Sequence, residues 1–173
     1  GEDQLQHLEL TRTLARKFNA RFGKTLTEPK PLLTETPRVM SLDNPTKKMS
    51  KSQPKGCLFL NDSPSEIEEK IMRAVTDSGS EVVYDAEKKP AVANLLRIYA
   101  ALSQKLIPDL ERDYKNKGYA DFKRGLANTV SDYFSDFRKK KRELIKDRPQ
   151  LASTLKAGSK KAARKAAQKL MVV

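Results

Sequence analysis

A chain of 173 residues with a net charge of +13 is long enough for one medium domain or two small ones with a real core. No apolar run approaches the ~20 residues of a membrane span, and no charged-then-apolar signal segment opens the chain. The single cysteine, Cys57, excludes an internal disulfide, has no His or Cys cluster around it to make a zinc site, and suits the reducing cytoplasm.

The charge is unevenly placed. Residues 138–173 hold 13 Lys and Arg against 2 Asp and Glu, a net of +11, which leaves +2 for everything before them. A one-sided basic surface of this kind is the footprint of a phosphate-backbone partner. An anionic membrane surface is the competing partner, but the apolar residues near the tail are mostly alanine, too small to insert deeply, so no membrane association is expected.

Along the chain, Leu5, Leu8, Leu14, Ala15, Phe18 and Phe22 fit one face of a helix over 3–21, with Gly23 as its stop. His7 near its start has no second ligand or base at helical spacing and is given no catalytic role. Pro29, Pro31 and Pro37 predict an extended run over 24–38, followed by a short strand, Val39-Met40-Ser41-Leu42. A second short strand, Cys57-Leu58-Phe59-Leu60, is expected beyond the next loop.

That loop, from Asp43 to Gly56, carries Pro45, Pro54, Ser50, Ser52 and four lysines, Lys47, Lys48, Lys51 and Lys55. It has no apolar face to bury, so it is expected to be exposed and mobile. Ammonium groups interleaved with small hydroxyls suit a polyanion such as the phosphates of a nucleotide, and a merely solvated basic loop is the alternative.

Ser63-Pro64-Ser65-Glu66 is a capping box with proline at the first helical position, predicting a helix that buries Ile67, Ile71, Met72 and Val75. Asp77-Ser78-Gly79-Ser80 ends it, and Val82-Val83-Tyr84 reads as a brief extended piece. A helix over 90–104 follows with Val92, Leu95, Leu96, Tyr99 and Leu102 inward, then a shorter one over 108–115. Phe122, Leu126, Val130, Tyr133, Phe134 and Phe137 predict a single core-facing helix whose aromatics pack rather than stack on bases. It runs into Arg138-Lys139-Lys140-Lys141-Arg142, to be solvated or in contact with phosphates. After Pro149 a last helix is expected, with Leu151 and Leu155 inward and a break near Gly158. There is no fixed-period repeat, glycine-rich phosphate loop or paired-carboxylate hydrolase signature.

Lys48-Met49-Ser50-Lys51-Ser52, unbroken, resembles the second signature of class I aminoacyl-tRNA synthetases. The resemblance extends along the chain. Gly1-Glu2-Asp3-Gln4 with His7-Leu8-Glu9-Leu10-Thr11-Arg12, then Arg38 to Leu42, Ala74 to Ser78, Tyr84-Asp85, Lys89-Pro90, Asn94-Leu95-Leu96 and Lys117-Gly118-Tyr119 resemble the C-terminal half of bacterial-type tryptophanyl-tRNA synthetases. Ala91 and Ala93 depart from that pattern, where the family more often has Gly and Ser.

The resemblance implies a mostly α fold: the C-terminal piece of a Rossmann-like α/β nucleotide-binding domain over 1–60, then an α-helical bundle over 61–173 that binds the tRNA anticodon. It implies ATP-dependent activation of tryptophan and transfer to tRNA(Trp), with Lys48 and Lys51 as catalytic cations. Gly1, Glu2, Asp3, Val39, Met49, Ser50 and Ser52 join them in binding ATP. Mg2+ is expected on the triphosphate, with no protein-bound metal site, and the whole enzyme is expected to be a cytoplasmic homodimer. The family's first signature and most of its tryptophan pocket are expected upstream of Gly1, so the chain by itself is expected to be inactive. A tyrosine-specific relative and a non-catalytic basic helical RNA-binding module are the alternatives.

Overall fold

A capping box, two proline-started helices and one strongly apolar helix dominate the architecture. The computed structural model describes residues 4–33 and 38–172. These include seven α-helices: α1 Leu5–Phe22, α2 Pro64–Arg73, α3 Pro90–Ser103, α4 Ile107–Asp113, α5 Tyr119–Tyr133, α6 Ser135–Lys146 and α7 Arg148–Leu170. The chain divides into two compact units, residues 1–37 with 140–173, and residues 38–139.

In the unit of residues 38–139, α2 starts where local chemistry demands. The Ser63 hydroxyl accepts the Glu66 amide at 3.3 Å and the Glu66 carboxylate accepts the Ser63 amide at 2.7 Å. That backbone bond, with the Ser63 hydroxyl second, holds the Glu66 carboxyl below the usual carboxylate range. Pro90 opens α3, whose exposed amide donors are satisfied from a distance: Asp77 accepts the Val92 amide at 2.9 Å. So the 77–80 break also caps the next helix.

Helix α3 is buried on almost every side, from Ala91 through Leu96 and again at Ile98 and Tyr99. It packs on α4 and α5, and α2 packs on α5, around Ile67, Ile71, Val92, Leu95, Leu96, Leu110, Phe122, Leu126 and Val130. Lys123 is buried among these apolar groups, and its ammonium donates to the carbonyls of Met72 (3.2 Å) and Ala74 (2.7 Å) at the negative end of α2. Burial pushes its pKa down.

Tyr99, Tyr114 and Phe122 form an aromatic triangle, with the two phenol oxygens 3.0 Å apart and the Tyr114 and Phe122 rings edge to face at 5.4 Å. Burial, then the bond to Tyr99, pushes the Tyr114 phenol up. Gly125 leaves room for this pair, because a β-carbon there would lie 1.8 Å from the Tyr114 hydroxyl oxygen. Gly125→Ala therefore sets a helix-propensity gain of about 1 kcal/mol against an overpacking cost of about 1–3 kcal/mol. A net loss of stability is expected, read as a lower urea midpoint at unchanged slope.

Several expectations are corrected. Among the described residues the expected strands are absent, and only an isolated bridge joins Met40 to Lys48. The reason is that residues 39–42 satisfy their backbone with loop carbonyls and a side chain instead of a neighbouring strand. In the segment 57–60, the Phe59 amide goes to the Asp62 carboxylate at 2.8 Å instead of to a neighbouring strand. The helix expected across 122–137 is interrupted at Phe134; Phe137 beyond the break is exposed, and so is Tyr133 at the end of α5. Val75 is exposed because α2 ends at Arg73.

In the unit formed by 1–37 with 140–173, α1 buries only Ala15, and Leu14 and Phe22 are exposed. The turn after α1 is held by Asn19, whose carbonyl oxygen accepts the Thr25 and Leu26 amides at 3.0 and 2.8 Å. Helix α7 buries nothing, so Leu151 and Leu155 face outward, and it runs unbroken through Gly158. A mid-helix glycine costs only about 1 kcal/mol relative to alanine, which the flanking Ala and Lys residues offset.

Candidate active site

The lysine loop stands on a stem whose backbone groups are paired one by one. The Ser41 amide donates to the Lys47 carbonyl at 2.8 Å, the Met49 amide to the Val39 carbonyl at 3.0 Å, and Met40 bridges Lys48 between them. The loop closes at its base through the Leu42 amide and the Gly56 carbonyl, 3.0 Å apart. Ser41, buried, adds its hydroxyl to the Asp43 carboxylate at 2.5 Å and to the Gly56 carbonyl at 3.2 Å. Gly56 has to be glycine here: a β-carbon would sit 1.9 Å from the Ser41 hydroxyl oxygen and 2.2 Å from the Asp43 carboxylate.

Two contacts tie this stem to the helices of its own unit. The Val75 amide, just past α2, donates to the Leu42 carbonyl at 2.8 Å. Asn94, from the middle of α3, pairs with both backbone groups of Met40 at 3.0 Å each.

Within the loop, Met49 turns inward to pack against the core while Lys48, Ser50, Lys51 and Ser52 face outward. The one apolar side chain of an otherwise polar signature thus anchors it to the core, and the two lysines stay exposed. The hydroxyls of Ser50 and Ser52 lie 2.8 Å apart, and the Gln53 amide donates to the Ser50 carbonyl at 3.0 Å, so the two serines form one small turn. Val39 is partly buried under the stem. Gly1, Glu2 and Asp3 lie outside the described residues. The structure thus brings Val39, Lys48, Met49, Ser50, Lys51 and Ser52 together in one loop and stem.

Downstream of the loop, Cys57 is buried beside Asp62 and Lys70, and burial pushes its thiol up, away from reactive character. Lys70 donates to the buried Asp62 carboxylate at 2.6 Å and lies over the Phe59 ring at 4.7 Å. Among the described residues no group of His, Cys, Asp and Glu side chains is arranged to hold a metal ion, and no helix is long and apolar enough to cross a membrane. Asn94, Ser41 and Asp43 have no assigned role in the sequence reading, because each acts by pairing with backbone or side chains that only the fold brings near.

The family profile described as tRNA synthetases class I (W and Y) matches residues 1–135. The chain belongs to this family. Tryptophan–tRNA ligase 2 of Streptomyces avermitilis is 46% identical over 173 residues, which is 98% of this chain and 51% of that protein. The tryptophan–tRNA ligase of Bacillus anthracis is 46% identical over 176 residues, 100% of this chain and 53% of that protein. Among solved structures, tryptophanyl-tRNA synthetase from Mycoplasma pneumoniae superposes with a TM-score of 0.86 at 34% identity, covering 99% of this chain and 53% of that one. The chain spans about half the length of the curated relatives it matches. The class I assignment accounts for the mostly helical architecture, with residues 38–60 as the part that carries the signature loop.

Proposed function

We propose that this chain carries the ATP-loop and tRNA-binding parts of a tryptophan–tRNA ligase. The observation that carries the proposal is the Lys48–Ser52 signature, its lysines and serines exposed on a stem held by backbone bonds at Val39, Ser41 and Leu42. In this reading the tryptophan carboxylate attacks the α-phosphorus of ATP, pyrophosphate leaves, and the tryptophanyl group passes from the adenylate to the 3' end of tRNA(Trp). Negative charge grows on the departing pyrophosphate, and positioned cations stabilise it without reorganisation. Lys48 and Lys51 supply that charge, with Lys51 as the stronger transition-state contact.

Ser50, Ser52 and the backbone of Met49 hold phosphate oxygens. Val39 meets the adenine through its backbone, and Gly1, Glu2 and Asp3 close on the ribose. Mg2+ arrives with the triphosphate as part of the substrate. Residues 1–60 serve the nucleotide and residues 61–173 the tRNA, with Arg138 to Arg142 as a phosphate contact. The working enzyme is a cytoplasmic homodimer.

The test is amino-acid-dependent ATP–pyrophosphate exchange by the protein expressed from its own translational start, with everything that precedes Gly1, using tryptophan and tyrosine side by side. Exchange with tryptophan alone is expected. Exchange with tyrosine alone overturns the substrate, and exchange with neither overturns the ligase in favour of a basic RNA-binding module. The 173-residue chain by itself is expected to show no exchange above background.

A further inference from the structure

We infer that Asn94 is a positioning residue for the signature loop: its side-chain amide, fixed in α3, sets the register in which Lys48 and Lys51 are presented. What the loop does rests on the proposed function; how it is held rests on geometry alone.

Asn94 is 4% exposed, in the most apolar helix of the chain, between Ala93 and Leu95. Asparagine is a poor helix former, and a buried amide is costly unless its donor and acceptor are both used. Here both are used on one residue. The Asn94 Oδ1 accepts the Met40 amide at 3.0 Å and the Nδ2 donates to the Met40 carbonyl at 3.0 Å. A primary amide offers the donor and acceptor of a peptide group, so Asn94 does for Met40 what a neighbouring strand would do.

Met40 is the residue opposite Lys48 in the stem, and the bonds from Ser41 to Lys47 and from Met49 to Val39 flank that pair. Holding Met40 therefore holds Lys48, and through the Ser50–Ser52 turn, Lys51. A one-residue slip in such a pairing would turn Met49 outward and Lys48 inward. Leu42, pinned by Val75 and Gly56, fixes the same side of the stem two residues further on, at its base, and Asn94 fixes it at Met40, opposite Lys48.

Two substitutions separate this role from plain core packing. Asn94→Ala removes both bonds. Asn94→Asp keeps the shape and the acceptor but sets a carboxylate oxygen against the Met40 carbonyl. Hydrogen exchange of the 173-residue chain reads the outcome. In both variants the amides of Met40, Ser41 and Met49 are expected to lose protection about tenfold or more beyond any loss at Leu126 and Val130 of α5. Leu110→Ala, a core change on α4, is the control and is expected to lower protection without that local excess. Losses of equal size at all five amides in both Asn94 variants would overturn the inference.

A measurement on the unaltered chain keeps the test independent of variant folding. The Asn94 side-chain amide proton that donates to the Met40 carbonyl is expected to exchange slowly, and exchange as fast as that of the exposed Asn116 side chain would overturn the clamp. In the protein with its upstream sequence, both variants are expected to lower kcat and raise KM for ATP while leaving KM for tryptophan unchanged. A rise in KM for tryptophan equal to that for ATP would also overturn the inference. Because the exchange readout involves no nucleotide, absence of pyrophosphate exchange in the unaltered protein counts against the ligase and leaves the clamp standing.

Discussion

Lys51→Ala is expected to slow tryptophanyl-adenylate formation by about 10²–10³-fold while leaving tryptophan affinity within about twofold of the unaltered protein. The separation of the two effects follows from where the charge is needed. Lys51 is exposed on the outward side of the loop, and its ammonium suits phosphate oxygens rather than an indole. In the proposed reaction its ammonium acts when negative charge collects on the leaving pyrophosphate, and removing a donor used only there would lower kcat and kcat/KM together. Single-turnover adenylate formation and equilibrium tryptophan binding, measured on the same preparation, check it. Equal losses in rate and in tryptophan affinity would make Lys51 a ground-state ligand.

Phe122→Ala is expected to destabilise the unit of residues 38–139 by about 3–5 kcal/mol, against a total of about 5–15 kcal/mol for a domain of ordinary stability. Phe122 is fully buried, with Tyr114 edge-on at 5.4 Å and Tyr99 at 6.0 Å. It sits on α5, which packs on both α2 and α3. Truncation leaves a cavity at the point where three helices meet, and the surrounding helices relax only partly into it. Urea unfolding followed by far-UV circular dichroism measures the loss. A change under 1 kcal/mol would mean that the site collapses around the smaller side chain.

The loop and the core respond to different kinds of information. The lysine signature is legible in sequence because its five residues are contiguous, whatever surrounds them. The start of α2 is legible for a related reason: Ser63, Pro64 and Glu66 make all their capping bonds within four residues. The positions that failed are those whose state depends on a partner. Val39 to Leu42 look like a strand by composition, but a strand needs a neighbour, and this one finds Asn94, 54 residues away, in place of a ladder. Phe137 continues the stripe begun by Phe122, yet the irregular turn at Phe134 stops the continuation before it reaches the core. Leu151 and Leu155 show apolar spacing, but spacing does not create a surface to pack against.

The amino-acid sequence by itself therefore determined the signature loop, the starts of α2 and α3 and the apolar stripes of α2, α3 and the first part of α5, because each is set by neighbours within a few residues. Only the tertiary structure decided that Met49 turns inward, that Gly56 closes the loop against Ser41, and that Lys123 and Asn94 spend their buried polar groups on the end of α2 and the stem of the loop. Those pairings join residues far apart in the chain. A polar side chain carries no mark of which distant backbone group will satisfy it until packing brings the two together.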